Sequence, residues 1–234
     1  MWKGKKVSVI MPAYNEEANI KNAITEFSSE KIVDEIIAID NNSTDKTKKL
    51  ILNTNAKYVS EQKQGYGHAI LKGLKEAKGF YVITVEPDNS FSVKDLHRLL
   101  EASEKQDVVF GTRTNKRYIQ KNAKMNSFLR IGNCFIANII NILFNTKITD
   151  VGCTYKLIKK PALNKILNKL IILNSSFSPH FIIVSIKNKL SYKEIPVIYK
   201  NRIGNSKITS SFQKSFLLGI KMIILIISSK FNNS

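Results

Sequence analysis

The sequence predicts an α/β protein with a mostly parallel central sheet, helices on both faces and a helical C-terminal extension. Three observations carry this. In the first half, short apolar runs alternate with segments of helical periodicity, and strands that alternate with helices pair in parallel. The polar residues able to do chemistry fall just after those runs, where open α/β sheets bind ligands. The end of the chain carries apolar residues at helical spacing with no further alternation.

Residues 7–11 (VSVIM) are an apolar run ended by Pro12 and predict a buried strand. Asn15 suits a helix cap, with Glu16 and Glu17 in the positive first turn. Ala18, Ile20, Ala23, Ile24 and Phe27 follow at helical spacing. Residues 35–40 (EIIAID) predict a second strand, and Ser43 suits the cap of a helix over 44–53. A third strand is expected at 58–60, a helix at 67–78, a fourth strand at 81–86 (YVITVE), a helix at 92–105 and a fifth strand at 107–111 (DVVFG). Beyond these, residues 126–144 predict a long, partly amphipathic helix, and Pro161 suits the first turn of another. Residues 193–200 (KEIPVIYK) predict a late strand, which Pro196 places at an edge or bulge. Residues 211–229 predict a terminal helix. No repeat or low-complexity linker divides the chain, so residues 1–210 are expected to be one domain and 211–234 an amphipathic, membrane-interfacial helix.

Composition narrows the function. Hydrophobic residues make up 43% and charged residues 24% of the 234, which excludes a disordered chain, a collagen-like fibre and a disulfide-stapled miniprotein. Lys plus Arg is 37 against 18 Asp plus Glu, a net charge of +19. That excess favours an anionic partner: nucleic acid, a membrane surface or a phosphorylated substrate. A chain-wide abundance of lysine, isoleucine and asparagine is its other source. No nucleic-acid motif is present and only 5 of the basic residues are arginine, so no nucleic-acid partner is expected. Cys134 and Cys153 stand outside any CxxC or histidine cluster and are expected to be free thiols in a reducing, cytoplasmic compartment. MWKGKKVSVI is too short and too charged for a secretory signal. The longest apolar candidate, residues 216–227, is interrupted by Lys221 and falls short of the roughly 18 residues a membrane span needs.

Four strand ends converge on one rim. They carry Pro12-Ala13-Tyr14-Asn15-Glu16, Asp40-Asn41-Asn42-Ser43, Glu86-Pro87-Asp88-Asn89 and Gly111-Thr112-Arg113. Asp40 suits a turn as well as a ligand. Glu86 and Asp88 are two apart at the end of an apolar strand and repel each other unless a cation lies between them. Hard oxygen ligands of this kind suit Mg²⁺ or Mn²⁺ joined to substrate phosphates, with a plain acidic turn as the alternative. Gly65-Tyr66-Gly67 opens like a dinucleotide fingerprint, but Ile70 stands where the third glycine belongs, and no GK[ST] loop occurs. His68, His97 and His180 are isolated from one another in sequence.

VSVIMPAYNEE, IIAIDNNSTDKT, ITVEPDN and DVVFGTR, in this order, resemble the family 2 glycosyltransferases of GT-A (Rossmann-like) fold. Asp150-Val151-Gly152-Cys153-Thr154-Tyr155-Lys156-Leu157, and Glu194-Ile195-Pro196-Val197 followed by Arg202, Gly204, Ser206 and Lys207, resemble the branch containing dolichyl-phosphate mannose synthases and polyprenyl-phosphate glycosyltransferases. The resemblance covers about residues 5–210 and implies a nucleotide-diphosphate sugar donor (UDP or GDP), a polyprenyl phosphate acceptor and metal-dependent, inverting transfer of one sugar. It implies that Pro12, Ala13, Tyr14 and Glu16 cradle the base and ribose, that Asp40 reads one of them, and that Gly65 and Ala69 line the same pocket. Glu86 and Asp88, with Pro87 between, match the metal motif. Arg113 is implied near the sugar or acceptor phosphate, Arg130 at the acceptor phosphate, and Arg202 and Lys207 on a basic loop closing on the donor phosphates. Glu86 replaces the usual aspartate of that motif, and Ser90 stands where mannose synthases keep a glutamine. The sequence lacks the Gln/Arg-x-x-Arg-Trp signature of processive synthases, its only tryptophan being Trp2.

An anionic acceptor needs positioning, which an arginine fork provides. A hydroxyl acceptor, as in surface glycan synthesis, needs a general base instead, and Asp150 is then the candidate. A non-catalytic nucleotide-sugar binder is the third reading. Phe212, Phe216, Leu217, Ile220, Ile223, Ile224 and Ile227 recur at helical spacing among lysines, as do Phe128, Ile131, Phe135, Ile139 and Ile142. Both stripes suit helices lying in an anionic membrane surface at the inner face, or packed on the domain.

Overall fold

The computed structural model describes residues 1–121, 123, 127–204 and 212–231. Seven strands form one sheet: β1 Val7–Ala13, β2 Glu35–Asp40, β3 Lys57–Ser60, β4 Tyr81–Thr84, β5 Val108–Thr112, β6 Lys156–Lys159 and β7 Tyr192–Pro196. Their order is β3-β2-β1-β4-β6-β5-β7. β1 pairs in parallel with β2 and β4, β2 with β3, and β5 with β7. β6 runs antiparallel between β4 and β5. Register brings Ala13 beside Asp40 and Asp40 beside Ser60, so the polar sequences after β1 and β2 start at one level. β7 is the edge strand that Pro196 demands, since proline cannot donate to a ladder.

Among the described residues, eight helices cover the faces: α1 Ile20–Ser28, α2 Thr47–Leu52, α3 Tyr66–Glu76, α4 Asp95–Ala102, α5 Ser127–Phe144, α6 Lys160–Ile166, α7 Phe177–Lys187 and α8 Phe212–Phe231. Alternation along β1 sends Val9 and Met11 into the core under α1 and α4, and Ile10 into the core under α3, α5 and α7. Pro161 lies in the first turn of α6 as expected.

Four elements depart from expectation. β6 is a four-residue strand, KLIK, too short for its apolar pattern to be read. α7 is buried from Phe177 to Ser185, so it has no polar face and no amphipathic signal. α1 and α2 start later than Asn15 and Ser43 require. Neither residue caps a helix; both are used to tie the two loops together.

α8 is both of the things its pattern allows. Met222 and Ile226 are buried against the core with Ile223 beside them, and Lys230 Nζ donates to the Leu143 carbonyl of α5 at 2.7 Å. Phe216, Leu217, Ile220, Ile224 and Ile227 remain exposed, as do Ile131, Phe135 and Ile142 of α5. Ile139 and Ile223 therefore belong to the packed side and not to the outer stripes. No described helix is long and apolar enough to cross a membrane. The boundary expected at residue 210 lies outside the described residues.

α3 approaches the chain before α7 so closely that an added Cβ at Gly67 would stand 2.5 Å from the Leu173 backbone. Glycine-to-alanine in a helix ordinarily gains up to about 1 kcal/mol. Here Gly67→Ala is expected to lose about 1–3 kcal/mol through overpacking, read as a lower midpoint in urea unfolding.

Candidate active site

The loops after β1 and β2 are built as one unit. Asn15, in the left-handed backbone region at φ 53°, donates from its backbone N to Ser43 Oγ at 3.0 Å, and its Oδ1 accepts from Thr44 N at 2.8 Å. Glu16 N donates to Thr47 Oγ1, Glu17 N to Asp45 Oδ2, and Lys46 N to Glu17 Oε2. Asp40 is buried at the end of β2 and accepts from Ser43 N and the Tyr58 hydroxyl. Asn41 extends the unit to α3: its Nδ2 donates to the Glu61 and Lys63 carbonyls, and its Oδ1 accepts from Gly65 N at 2.9 Å. Pro12 and Ala13 are buried and Tyr14 is exposed beside them. Gly65, at φ 146°, opens α3, and Ala69 is buried on its first turn.

A cluster of carboxylates lies next to this unit. Arg202 Nε is 3.1 Å from Asp88 Oδ2, its Nη1 is 3.9 Å from Glu86 Oε2, and its Nη2 is 3.8 Å from Glu16 Oε1. Ser90 donates from both N and Oγ to Asp88 Oδ1, which turns Oδ2 inward. That oxygen is buried and has no aligned hydrogen-bond donor. Burial first, and the Asp88 charge second, push the Glu86 carboxyl up to about 8, with Arg202 opposing. Among the described residues no group of three or more His, Cys, Asp and Glu could hold a metal ion. Glu86 and Asp88 are thus a two-carboxylate set with one inward oxygen unsatisfied. This fits a hard divalent cation completed by substrate phosphates.

Across the rim, Asp150 is a hub. Its Oδ2 accepts from Arg113 N and Nε, and its Oδ1 from Arg113 Nη2, Asn133 Nδ2, Gly152 N and Cys153 N, all within 2.6–2.9 Å. Burial alone would raise its pKa, but the Arg113 charge and these donors hold it well below the usual carboxylate range. Six donors on two oxygens make Asp150 a clamp for Arg113 and the following turn, and the expectation that it could serve as a general base does not fit this geometry. Arg113 also lies over the Tyr199 ring, 5.3 Å from its centroid. The turn is held from below: Lys156 Nζ, buried and pushed down to about 8 by burial, donates to the Cys153 carbonyl and to Ser178 Oγ. Ser178 Oγ in turn donates to the Val151 carbonyl. Glu194 accepts from the Thr149 and Asp150 amides.

Of the residues expected at the site, Glu16, Glu86, Asp88 and Arg202 form one charged cluster, Arg113 and Asp150 form another, and Asp40, Gly65 and Ala69 line the loop unit. Pro87 shapes the turn between the two acids. Arg130 is on α5, one turn before Asn133, and so shares the side of the helix that reaches Asp150. Lys207 lies outside the described residues. Asn41, Asn133, Lys156 and Tyr199 had no individual signal in the sequence. Asn133 could have been noticed as a polar residue three after Arg130 on a largely apolar helix.

Asp150→Asn is expected to destabilise the protein by about 3 kcal/mol, because it leaves a largely buried guanidinium unpaired. A depressed folded pKa contributes stability that is present above the unfolded value of about 4 and is lost as pH falls below it. Wild type should therefore lose stability between about pH 4 and pH 2 more steeply than Asp150→Asn, read by urea unfolding across that range.

The chain is similar to known glycosyltransferases in sequence and in fold. A UDP-N-acetylglucosamine–dolichyl-phosphate N-acetylglucosaminyltransferase of Methanococcus voltae is 26% identical over 216 residues, covering 82% of this chain and 85% of that protein. A dolichyl-phosphate beta-glucosyltransferase of Dictyostelium discoideum is 28% identical over 251 residues, covering 92% of this chain and 76% of that one. Among solved structures, glucosyl-3-phosphoglycerate synthase of Mycobacterium tuberculosis with Mg²⁺ and UDP superposes with a TM-score of 0.74 at 17% identity, over 99% of this chain and 81% of that one. The same synthase has also been solved with Mn²⁺, UDP and glucosyl-3-phosphoglycerate; this likeness shows the GT-A fold. The Glycosyl transferase family 2 model matches residues 8–167, and the chain belongs to that family.

Proposed function

We propose that this protein transfers one sugar, with inversion, from a UDP- or GDP-sugar to a polyprenyl phosphate at the inner face of a membrane. The observation that carries this is the division of charge at the rim. One end offers a carboxylate pair suited to a cation on a departing diphosphate. The other offers Arg113, with Arg130 nearby on α5, and a carboxylate already saturated with donors. A phosphate acceptor is an anionic nucleophile near neutral pH and needs a positioned cation, whereas a hydroxyl acceptor needs a free base. The names of the curated relatives, which are transferases acting on dolichyl phosphate, support the same reading.

In this reading Pro12, Ala13, Tyr14, Asp40, Gly65 and Ala69 seat the nucleoside, and Glu86 and Asp88 hold Mg²⁺ or Mn²⁺. The bound cation supplies positive charge to the donor diphosphate. Arg113 and Arg130 orient the acceptor phosphate so that one of its oxygens faces the anomeric carbon. That oxygen forms the new bond as the bond to the diphosphate breaks, and the electron pair leaves on the diphosphate. Arg202, followed by Lys207, stabilises the charge that develops there. Asp150 keeps Arg113 in place and takes no proton.

The exposed apolar faces of α5 and α8, with a net charge of +19, suit an anionic lipid surface.

A donor screen with Mg²⁺ or Mn²⁺ and a short-chain polyprenyl phosphate should yield lipid-linked sugar from a UDP- or GDP-sugar. Asp88→Ala should lower its kcat by at least about 10²-fold; product from a polyprenol but not from its phosphate would reject the acceptor. Phe216→Ser with Ile224→Ser, both exposed, should weaken binding to anionic vesicles by at least about tenfold without altering thermal stability. Binding of the wild type should fall with salt, both effects being measured by vesicle co-sedimentation.

A further inference from the structure

Resting on the metal-site reading above, we infer that Arg202 is a specificity-determining residue: its guanidinium fills the cation position in the free protein and yields only to a divalent ion that arrives with a diphosphate.

The geometry is that of a stand-in cation. Three carboxylates from two segments, Glu16 after β1 and Glu86 and Asp88 after β4, converge on one guanidinium, each within 3.9 Å. Asp88 is 1% exposed, and a buried carboxylate with no opposing charge is strongly disfavoured. Some positive charge must therefore be present before donor binds. The seat is good in charge and poor in hydrogen bonding, because Asp88 Oδ2 lacks an aligned donor and two of the three contacts exceed 3.5 Å. A guanidinium so held is exchangeable.

The backbone around Arg202 is arranged for exchange. Lys200 N donates to the Ser90 carbonyl and Ile203 N to the Asp88 carbonyl. Asn19 Nδ2 reaches both the Ile203 carbonyl and Glu16 Oε2. These bonds lay the segment across the acidic turn, and Gly204 follows at φ 90°. A bare divalent ion must displace Arg202 into water with no new anion to receive it. A nucleoside diphosphate supplies that anion, so Arg202 keeps a partner when it moves. The site then discriminates against the free ion and favours the ion–diphosphate pair, and the two ligands bind with positive coupling.

The test measures Mn²⁺ binding by electron paramagnetic resonance, with and without UDP or GDP, in wild type, Arg202→Gln and Arg202→Lys. Without nucleotide, Arg202→Gln should bind Mn²⁺ at least about tenfold more tightly than wild type. Arg202→Lys, whose point charge cannot span three carboxylates, should bind it at least about threefold more tightly. Nucleotide should tighten Mn²⁺ binding far more in wild type than in Arg202→Gln. If wild type binds Mn²⁺ with nucleotide but neither variant gains affinity for Mn²⁺ alone, the inference is overturned and the metal site stands. If wild type binds no Mn²⁺ with either nucleotide, the metal site itself is rejected, and the inference with it.

Discussion

The concentration of buried negative charge after β4 constrains the rest of the site. Glu86 and Asp88 follow a strand in the middle of the sheet, and Glu16, from the loop after β1, shares Arg202 with them. Carboxylates removed from water need an opposing charge or a proton. Arg202 supplies the charge, and the raised Glu86 pKa shows how incompletely one guanidinium does so. The strand-end geometry that assembles these acids places them where open α/β sheets bind ligands.

Precision elsewhere comes from buried and half-buried side chains that hold backbone. Asn15, Ser43, Asp45 and Thr47 join the first two loops, Asn41 ties in the start of α3, and Asn133 joins α5 to the Asp150 turn. Such bonds satisfy amides and carbonyls that loops would otherwise leave unpaired. Asp150 shows the consequence for chemistry. A carboxylate saturated by six donors holds the planar fork of Arg113 and the following turn in place.

Much of the fold was legible because β1, β2, β4 and β5 are buried strands with strong apolar runs, and because acids at strand ends stand out. Glu86, Asp88, Arg113 and Arg202 stood out in the sequence as candidates for a site. Their partnerships were not. That Arg202 rests on the carboxylates, and that Asp150 is consumed by Arg113 and Asn133, depends on contacts between segments far apart in sequence. β6 was hidden by its shortness and α7 by uniform burial. Asn15 and Ser43 were misread as caps because a short polar side chain suits a helix start and a loop cross-link equally.

The most direct test is a structure of the protein with Mn²⁺ and a nucleoside diphosphate. The account predicts Mn²⁺ bound by Glu86 or Asp88 and by phosphate oxygens, with the Arg202 guanidinium moved out of ion-pairing distance of Asp88 and onto the diphosphate. Mn²⁺ bound away from these carboxylates, with Arg202 still 3.1 Å from Asp88, would contradict it.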